Sequence, residues 1–333
     1  MAHHALSIGK IHGLSATSSP SGAFSILAFD HRQSFVKLLD PSGNQPPAYS
    51  EVVEAKAEVV SVLAPYASGV LLDPVYGAAQ LIANQTLPAG TGLMVALEET
   101  GYEGNPNARI SSILVGWSVA QAKRMGADAV KLLVYYHPHA GEITEKIEDL
   151  VRRIIQECRQ ADIALFLEPV SYSIDAHAEK ESRAFAESRP EIIAQIARRL
   201  GNLGPDILKL EFPVDAQYDR NESQWAAACE AVSTASPCPW AVLSAGVAFE
   251  LFARQVEIAC RYGASGFIAG RAIWKDGIPL PTPNRIDWLE KVALPRMSQL
   301  AEITSSYARP WTNFYPELAA SAGEGWYLTY RGL

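Results

Sequence analysis

The chain has 333 residues, 48% of them hydrophobic and 19% charged, with a formal net charge of −8. This is the balance of an ordinary globular protein, and an acidic excess without any basic block excludes nucleic acid as the main partner. No apolar run reaches the roughly 18 residues that a membrane span needs.

Met1 to Thr17 lacks the apolar core of a signal peptide. Eight short apolar runs then recur, each followed by a helical pattern: Phe24 to Phe29, Gly69 to Leu72, Leu93 to Leu97, Ala129 to Val134, Ile163 to Glu168, Ile207 to Glu211, Trp240 to Leu243 and Gly266 to Ala269. The clearest helix places Ile143, Ile147, Leu150, Val151, Ile154, Ile155 and Cys158 on one stripe. Others are expected over Val52 to Leu63, Ile192 to Leu200, Trp225 to Val232, Ala248 to Cys260 and Trp288 to Ile303. Strands apolar on both faces and alternating with helices predict an α/β fold, a (β/α)8 TIM barrel, as one domain over 1–333 with the barrel at about 20–305. An open doubly wound sheet is the alternative, but Asp30-His31-Arg32 stands after the first strand where such a sheet would carry Gly-x-Gly-x-x-Gly.

Two connections, Glu98 to Ser112 and Ser171 to Pro190, are long, and the second is polar without a clear period; a barrel carries its active-site loops in such places. Beyond the eighth unit a C-terminal extension, 309–333, is rich in aromatic residues, among them Trp311, Phe314, Tyr315, Trp326, Tyr327 and Tyr330. It is expected to cover a surface or a subunit contact. The cysteines, Cys158, Cys229, Cys238 and Cys260, stand far apart with no Cys-x-x-Cys pair, so they read as reduced, packed thiols of a cytoplasmic protein.

Lys209 is the most informative residue. A lysine inside the apolar strand Ile207 to Glu211 is costly to desolvate and needs either a partner or a task. Glu211, two residues on and on the same strand face, is the partner in a purely structural reading. The chemical reading is a nucleophile for carbonyls, since burial and nearby cations keep a lysine amine neutral. Catalysis in a barrel occurs at the C-terminal strand ends, where this chain carries Asp30, His31 and Arg32, then Asp73, Glu98 and Glu99, Lys131, Glu168, Lys209 and Glu211, Ser244, and Arg271. Schiff-base chemistry uses those types together: Lys131 as the like charge that disfavours protonation of Lys209, and Glu168 as the proton carrier. The strings Leu243-Ser244-Ala245-Gly246-Val247 and Ile268-Ala269-Gly270-Arg271-Ala272 follow the last two strands, where barrels often hold a phosphate on backbone N–H groups. Arg271 adds a planar charged fork. His137-x-His139 lacks a third ligand at a strand end, so no metal site and no cofactor are expected.

These blocks resemble the class I tagatose-1,6-bisphosphate aldolases and the related sulfofructose-phosphate aldolases, from Ala28 to about Lys275. The resemblance rests on Ala28-Phe29-Asp30-His31-Arg32, Leu72-Asp73-Pro74-Val75-Tyr76-Gly77, Glu99-Thr100-Gly101-Tyr102, Gly126 to Tyr136, Phe166-Leu167-Glu168, Leu208-Lys209-Leu210-Glu211-Phe212-Pro213-Val214, Leu243 to Val247 and Gly270-Arg271-Ala272. It implies a TIM-barrel aldolase with Lys209 as the Schiff-base lysine, Lys131 as a second active-site lysine and Glu168 as the proton-transfer group. It further implies Ser244, Gly246, Gly270 and Arg271 on the phosphate, and Asp30, His31 and Arg32 toward the substrate. The family usually has Gln at the place of His31. The substrate implied is a phosphorylated ketose, tagatose 1,6-bisphosphate first and fructose 1,6-bisphosphate with it, and the protein is expected to be a homo-oligomer. A sulfofructose-phosphate aldolase, a transaldolase and a non-catalytic sugar-phosphate-binding barrel are the alternatives.

Overall fold

The computed structural model describes residues 6–318 and 322–330. The expected eight strands are present as β1 (Phe24–Phe29), β2 (Gly69–Leu72), β3 (Gly92–Ala96), β6 (Ala129–Tyr135), β7 (Ala164–Val170), β8 (Ile207–Glu211), β9 (Trp240–Leu243) and β10 (Gly266–Ala269), with β4 (Glu103–Asn105) and β5 (Ala108–Ile110) between β3 and β6. The eight pair in parallel in chain order, and β10 returns to β1 through Phe24 opposite Gly266 and Ile26 opposite Ile268, closing the barrel. Helices pack outside it on a continuous apolar shell.

The two-residue period of each strand decides what the interior holds. Phe24, Ile26 and Ala28, Met94 and Ala96, Ala129, Ala164 and Phe166, Ile207, Ala241 and Ile268 fill the barrel as one cluster. The next inward positions toward the C-terminal ends include Asp30, Glu98, Lys131, Glu168 and Lys209, so an apolar plug supports a layer dominated by charges.

The opposite end is closed by segments beyond the eight units. A helix at Ile8–Ala16 lies across it; a Cβ on Gly13 would fall 2.1 Å from the Asp128 carbonyl oxygen, so the close approach requires glycine. Lys10 reaches Asp206 at 2.8 Å in a buried ion pair. The described part of the aromatic extension caps the same end: Trp311 enters the interior cluster, its indole N–H donates to Ser18 Oγ at 3.1 Å, and the Tyr315 hydroxyl donates to the Asp206 carbonyl at 3.0 Å. Residues 319–321 and 331–333 of that extension lie outside the described residues, as do residues 1–5 of the amino terminus.

Two connections differ from expectation. Glu98 to Ser112 contains the antiparallel hairpin β4–β5, turned at Pro106-Asn107. The helix expected to begin at Ile192 begins at Arg183 and runs to Gly201 with Pro190 inside it. Ser182 caps its first turn by accepting from the Phe185 N–H, and burial of Phe185, Ile193, Ile196 and Leu200 offsets the hydrogen bond that Pro190 cannot make. Packing decides here, because local propensity at Pro190 argues for a break.

Trp311→Ala should lower the unfolding free energy by about 3 kcal/mol, read as a fall in the urea midpoint. Catalytic constants measured well below that midpoint should stay within about twofold, because Trp311 lies at the end of the barrel away from the charged layer.

Candidate active site

The charged layer forms the floor of a cavity of about 980 Å³ at the C-terminal mouth. Lys131, 1% exposed, contacts three carboxylates: Asp30 Oδ2 at 2.6 Å, Glu98 Oε1 at 2.6 Å and Glu168 Oε2 at 2.9 Å. The same Glu168 oxygen lies 2.9 Å from Lys209 Nζ. One carboxylate oxygen of Glu168 thus stands between two ammonium groups, both in ionic contact with it.

Burial by itself would lower the pKa of Lys131, but Asp30, Glu168 and Glu98 outweigh it and hold the group well above its ordinary value. For Asp30 the signs reverse: burial favours the neutral acid, and Lys131, Lys209 and His31 overcome it, keeping the carboxyl far below the usual range. These contacts bear on the expectation that Lys131 acts on Lys209 as a like charge. Its charge is offset by three carboxylates, and the group nearest to both amines is Glu168.

The supports of this cluster explain its placement. Glu98 Oε2 accepts the Leu133 N–H at 3.0 Å, while Arg32 Nη2 donates to the Glu98 carbonyl at 2.6 Å and Nη1 lies 3.6 Å from Glu99. Arg32 therefore edges the cavity with part of its fork already engaged. Glu98 was among the strand-end carboxylates in the sequence, but only the inward parity of residues 94, 96 and 98 separates it from Glu99.

His31 sits beside Asp30, its Nδ1 3.8 Å from Oδ1, and its ring stands edge-on to Trp274 at 5.1 Å. Nδ1 has no hydrogen-bond partner among the described residues. Burial pushes the imidazole down to about 3; Asp30 opposes this, while Arg271, Lys209 and Lys56 add to it, so His31 is neutral at physiological pH.

On the last two strands, Ala245 (φ +47°) and Gly246 (φ +79°) form a left-handed turn, an unfavourable conformation for alanine. The amide N–H groups of Ala245 and Gly246 have no protein acceptor among the described residues. Gly246 faces the Arg271 guanidinium, and Ala245, Val247 and Arg271 line the cavity. Ser244 is buried behind the turn, accepting the Val247 N–H on its carbonyl. Gly270 packs so tightly that a Cβ would lie 2.2 Å from the Ala28 carbonyl oxygen and 3.2 Å from the His31 ring. The predicted residues thus meet at one mouth, with Ser244 and Gly270 behind its wall.

Glu211 does not pair with Lys209. Its carboxylate accepts the Ser171 N–H at 2.8 Å and the Lys180 ammonium at 2.6 Å, with Arg189 at 3.7 Å. Burial would raise its pKa, yet Lys180 and Arg189 bring it down to about 2. Lys180 and Arg189 carried no periodic signal in the sequence, since the loop and the Pro190 helix bring them here. Arg109 of β5 likewise reaches the cavity, its guanidinium stacked over Tyr102 at 4.7 Å and Tyr135 at 5.2 Å.

Residues 24–276 match the family model of the DeoC/LacD family aldolases. The chain belongs to the DeoC/LacD aldolase family. It is 31% identical over 325 residues to a tagatose 1,6-diphosphate aldolase 2 of Streptococcus mutans, covering 92% of this chain and 98% of that one. With a tagatose 1,6-diphosphate aldolase of Listeria monocytogenes it shares 32% identity, covering 92% and 95%. Among solved structures, an archaeal fructose 1,6-bisphosphate aldolase superposes with a TM-score of 0.58 at 21% identity, covering 88% of this chain and 98% of that chain, which shows the shared fold. As a DeoC/LacD aldolase the protein is an enzyme, a carbon–carbon lyase.

The His31 environment sets a pH dependence. The folded pKa lies below the unfolded value of about 6.5, so the unfolded chain binds the extra proton and stability falls as pH drops from about 6.5 toward 3. Wild type should lose stability faster than His31→Gln across that window, by up to about 1.4 kcal/mol per pH unit. Urea midpoints of both proteins at pH 6.5, 5.5 and 4.5 check this.

Proposed function

We propose that this DeoC/LacD aldolase reversibly cleaves a ketose phosphate through an imine on Lys209, with tagatose 1,6-bisphosphate as the leading substrate and fructose 1,6-bisphosphate as a second. The products are dihydroxyacetone phosphate and glyceraldehyde 3-phosphate. The observation that carries the reading is the single Glu168 oxygen 2.9 Å from both Lys209 and Lys131 on the cavity floor.

Glu168 takes a proton from Lys209, and the neutral amine adds to the C2 carbonyl. The resulting carbinolamine loses its hydroxyl as water after protonation, leaving an iminium. Removal of the C4 hydroxyl proton then breaks the C3–C4 bond, and the electron pair is held as an enamine. Protonation at C3 and hydrolysis release dihydroxyacetone phosphate and restore the lysine. Glu168 suits these transfers because Lys131 keeps its charge beside it at each stage. Asp30 and His31 border the same floor and suit the substrate hydroxyls; Arg32 holds the rim.

The left-handed turn at Ala245 and Gly246, together with Arg271, suits the phosphate of the dihydroxyacetone half: two backbone N–H groups with no acceptor among the described residues lie on a turn beside a guanidinium. Ser244 and Gly270 shape that turn from behind. Arg109 stacks on Tyr135 at the end of β6, four strands around from β10, which Arg271 follows, and Lys180, Arg189 and Arg220 line the same cavity. Cations at both ends favour a ketose with two anionic groups.

Incubation with dihydroxyacetone phosphate and borohydride should add the mass of the reduced adduct to the Lys209 peptide and nothing to Lys209→Ala; an unmodified wild-type peptide would end the imine reading. Arg271→Ala should raise KM for the phosphorylated ketose by about 10-fold or more with the fold intact by circular dichroism, because its proposed partner is the ligand. Unchanged KM would remove Arg271 from the site.

A further inference from the structure

The helix Tyr49–Leu63 turns Val52, Ala55, Val59, Val60 and Leu63 toward the barrel, and Lys56 lies in that stripe, wholly excluded from solvent. A buried ammonium needs full compensation. It has three acceptors: Asp73 Oδ2 at 2.7 Å, the Phe29 carbonyl at 2.8 Å and the His31 carbonyl at 2.9 Å. The two carbonyls belong to the residues on either side of Asp30. Asp73 is itself fixed, its Oδ1 accepting the N–H groups of Val75 and Tyr76 at 2.9 and 2.8 Å.

We infer that Lys56 is a positioning residue for the reaction: anchored by Asp73, its ammonium grips the carbonyls of the residues flanking Asp30 and so aims the Asp30 carboxylate at Lys131 and the bound ketose. Lys56 lines no part of the cavity. It acts through the backbone of the turn that ends β1, where Asp30 Oδ2 must meet Lys131 Nζ at 2.6 Å. Other charged groups outside the cavity also bind the main chain, Arg199 at the Pro138 carbonyl and Asp206 at the Leu165 N–H among them, but Lys56 holds it on both sides of a residue in the charged layer. The inference rests on the proposed role of Asp30 toward substrate.

The test is a cycle among wild type, Lys56→Met/Asp73→Asn, Asp30→Asn and the triple variant. Neutralising both partners leaves no lone buried charge, so the paired variant is expected to fold. Cleavage of tagatose 1,6-bisphosphate and borohydride trapping with dihydroxyacetone phosphate are followed in all four. The paired variant should lose about 10-fold to 100-fold in kcat/KM, the scale expected of a misplaced reacting group. In the Asp30→Asn background the same pair should cost no more than about twofold, because its effect passes through Asp30. Losses that multiply across the cycle, wild-type kinetics in the paired variant, or its failure to fold would overturn the inference and leave Lys56 a determinant of the fold alone. Asp30→Asn with wild-type kinetics would instead remove the reading of Asp30 on which it rests, while trapping at Lys209 would show the imine chemistry intact.

Discussion

A lysine ammonium closed off from water among three carboxylates is the contact on which the mouth of this barrel depends. Lys131 on β6 meets Asp30 after β1, Glu98 after β3 and Glu168 on β7, and Glu168 passes the link on to Lys209 on β8. Each charge taken from water costs several kcal/mol, and a buried cluster persists only where mutual attraction and added hydrogen bonds offset that cost. Removing either lysine would leave carboxylates uncompensated, so the five are held as a unit. Their charges, three negative and two positive when all are ionised, sum to −1.

Such a cluster can be rigid only because of what lies beneath and behind it. The apolar layer of Phe24, Ile26, Met94, Phe166 and Ile268 gives the strands one fixed register, and the amino-terminal helix with Trp311 closes the far end. Behind the charges, a further ring of polar contacts fixes the main chain: Lys56 on the carbonyls around Asp30, Arg32 on the Glu98 carbonyl, and Glu211 on Ser171, Lys180 and Arg189. Groups oriented before the substrate arrives pay no reorganisation during reaction, which is the main means by which polar sites stabilise developing charge.

The neutrality of His31 belongs to the same electrostatics. With Arg271, Lys209 and Lys56 around it, the ring cannot carry a further positive charge in a buried position, even beside Asp30. An uncharged imidazole whose Nδ1 has no hydrogen-bond partner among the described residues offers a hydrogen bond without a charge, between the proposed phosphate turn and the proposed imine lysine. His31 thus keeps a neutral polar group in place.

The amino-acid sequence by itself determined the barrel and the charged layer, because both follow from a short-range rule. Eight apolar runs with inward residues every second position place Asp30, Lys131, Glu168 and Lys209 at equivalent heights without knowledge of any contact. Tertiary structure alone decided which charge meets which. Glu211 shares a strand face with Lys209, yet its partners Lys180 and Arg189 arrive from a loop and from a helix that continues through Pro190, neither of which has a local signature. Lys131 pairs with three carboxylates 33 to 101 positions away in the chain, and Lys56 looks like any lysine on a helix until the turn of β1 is packed against it. Coulomb interactions and hydrogen bonds act through space and leave no period along the chain, whereas burial of a strand or helix face does.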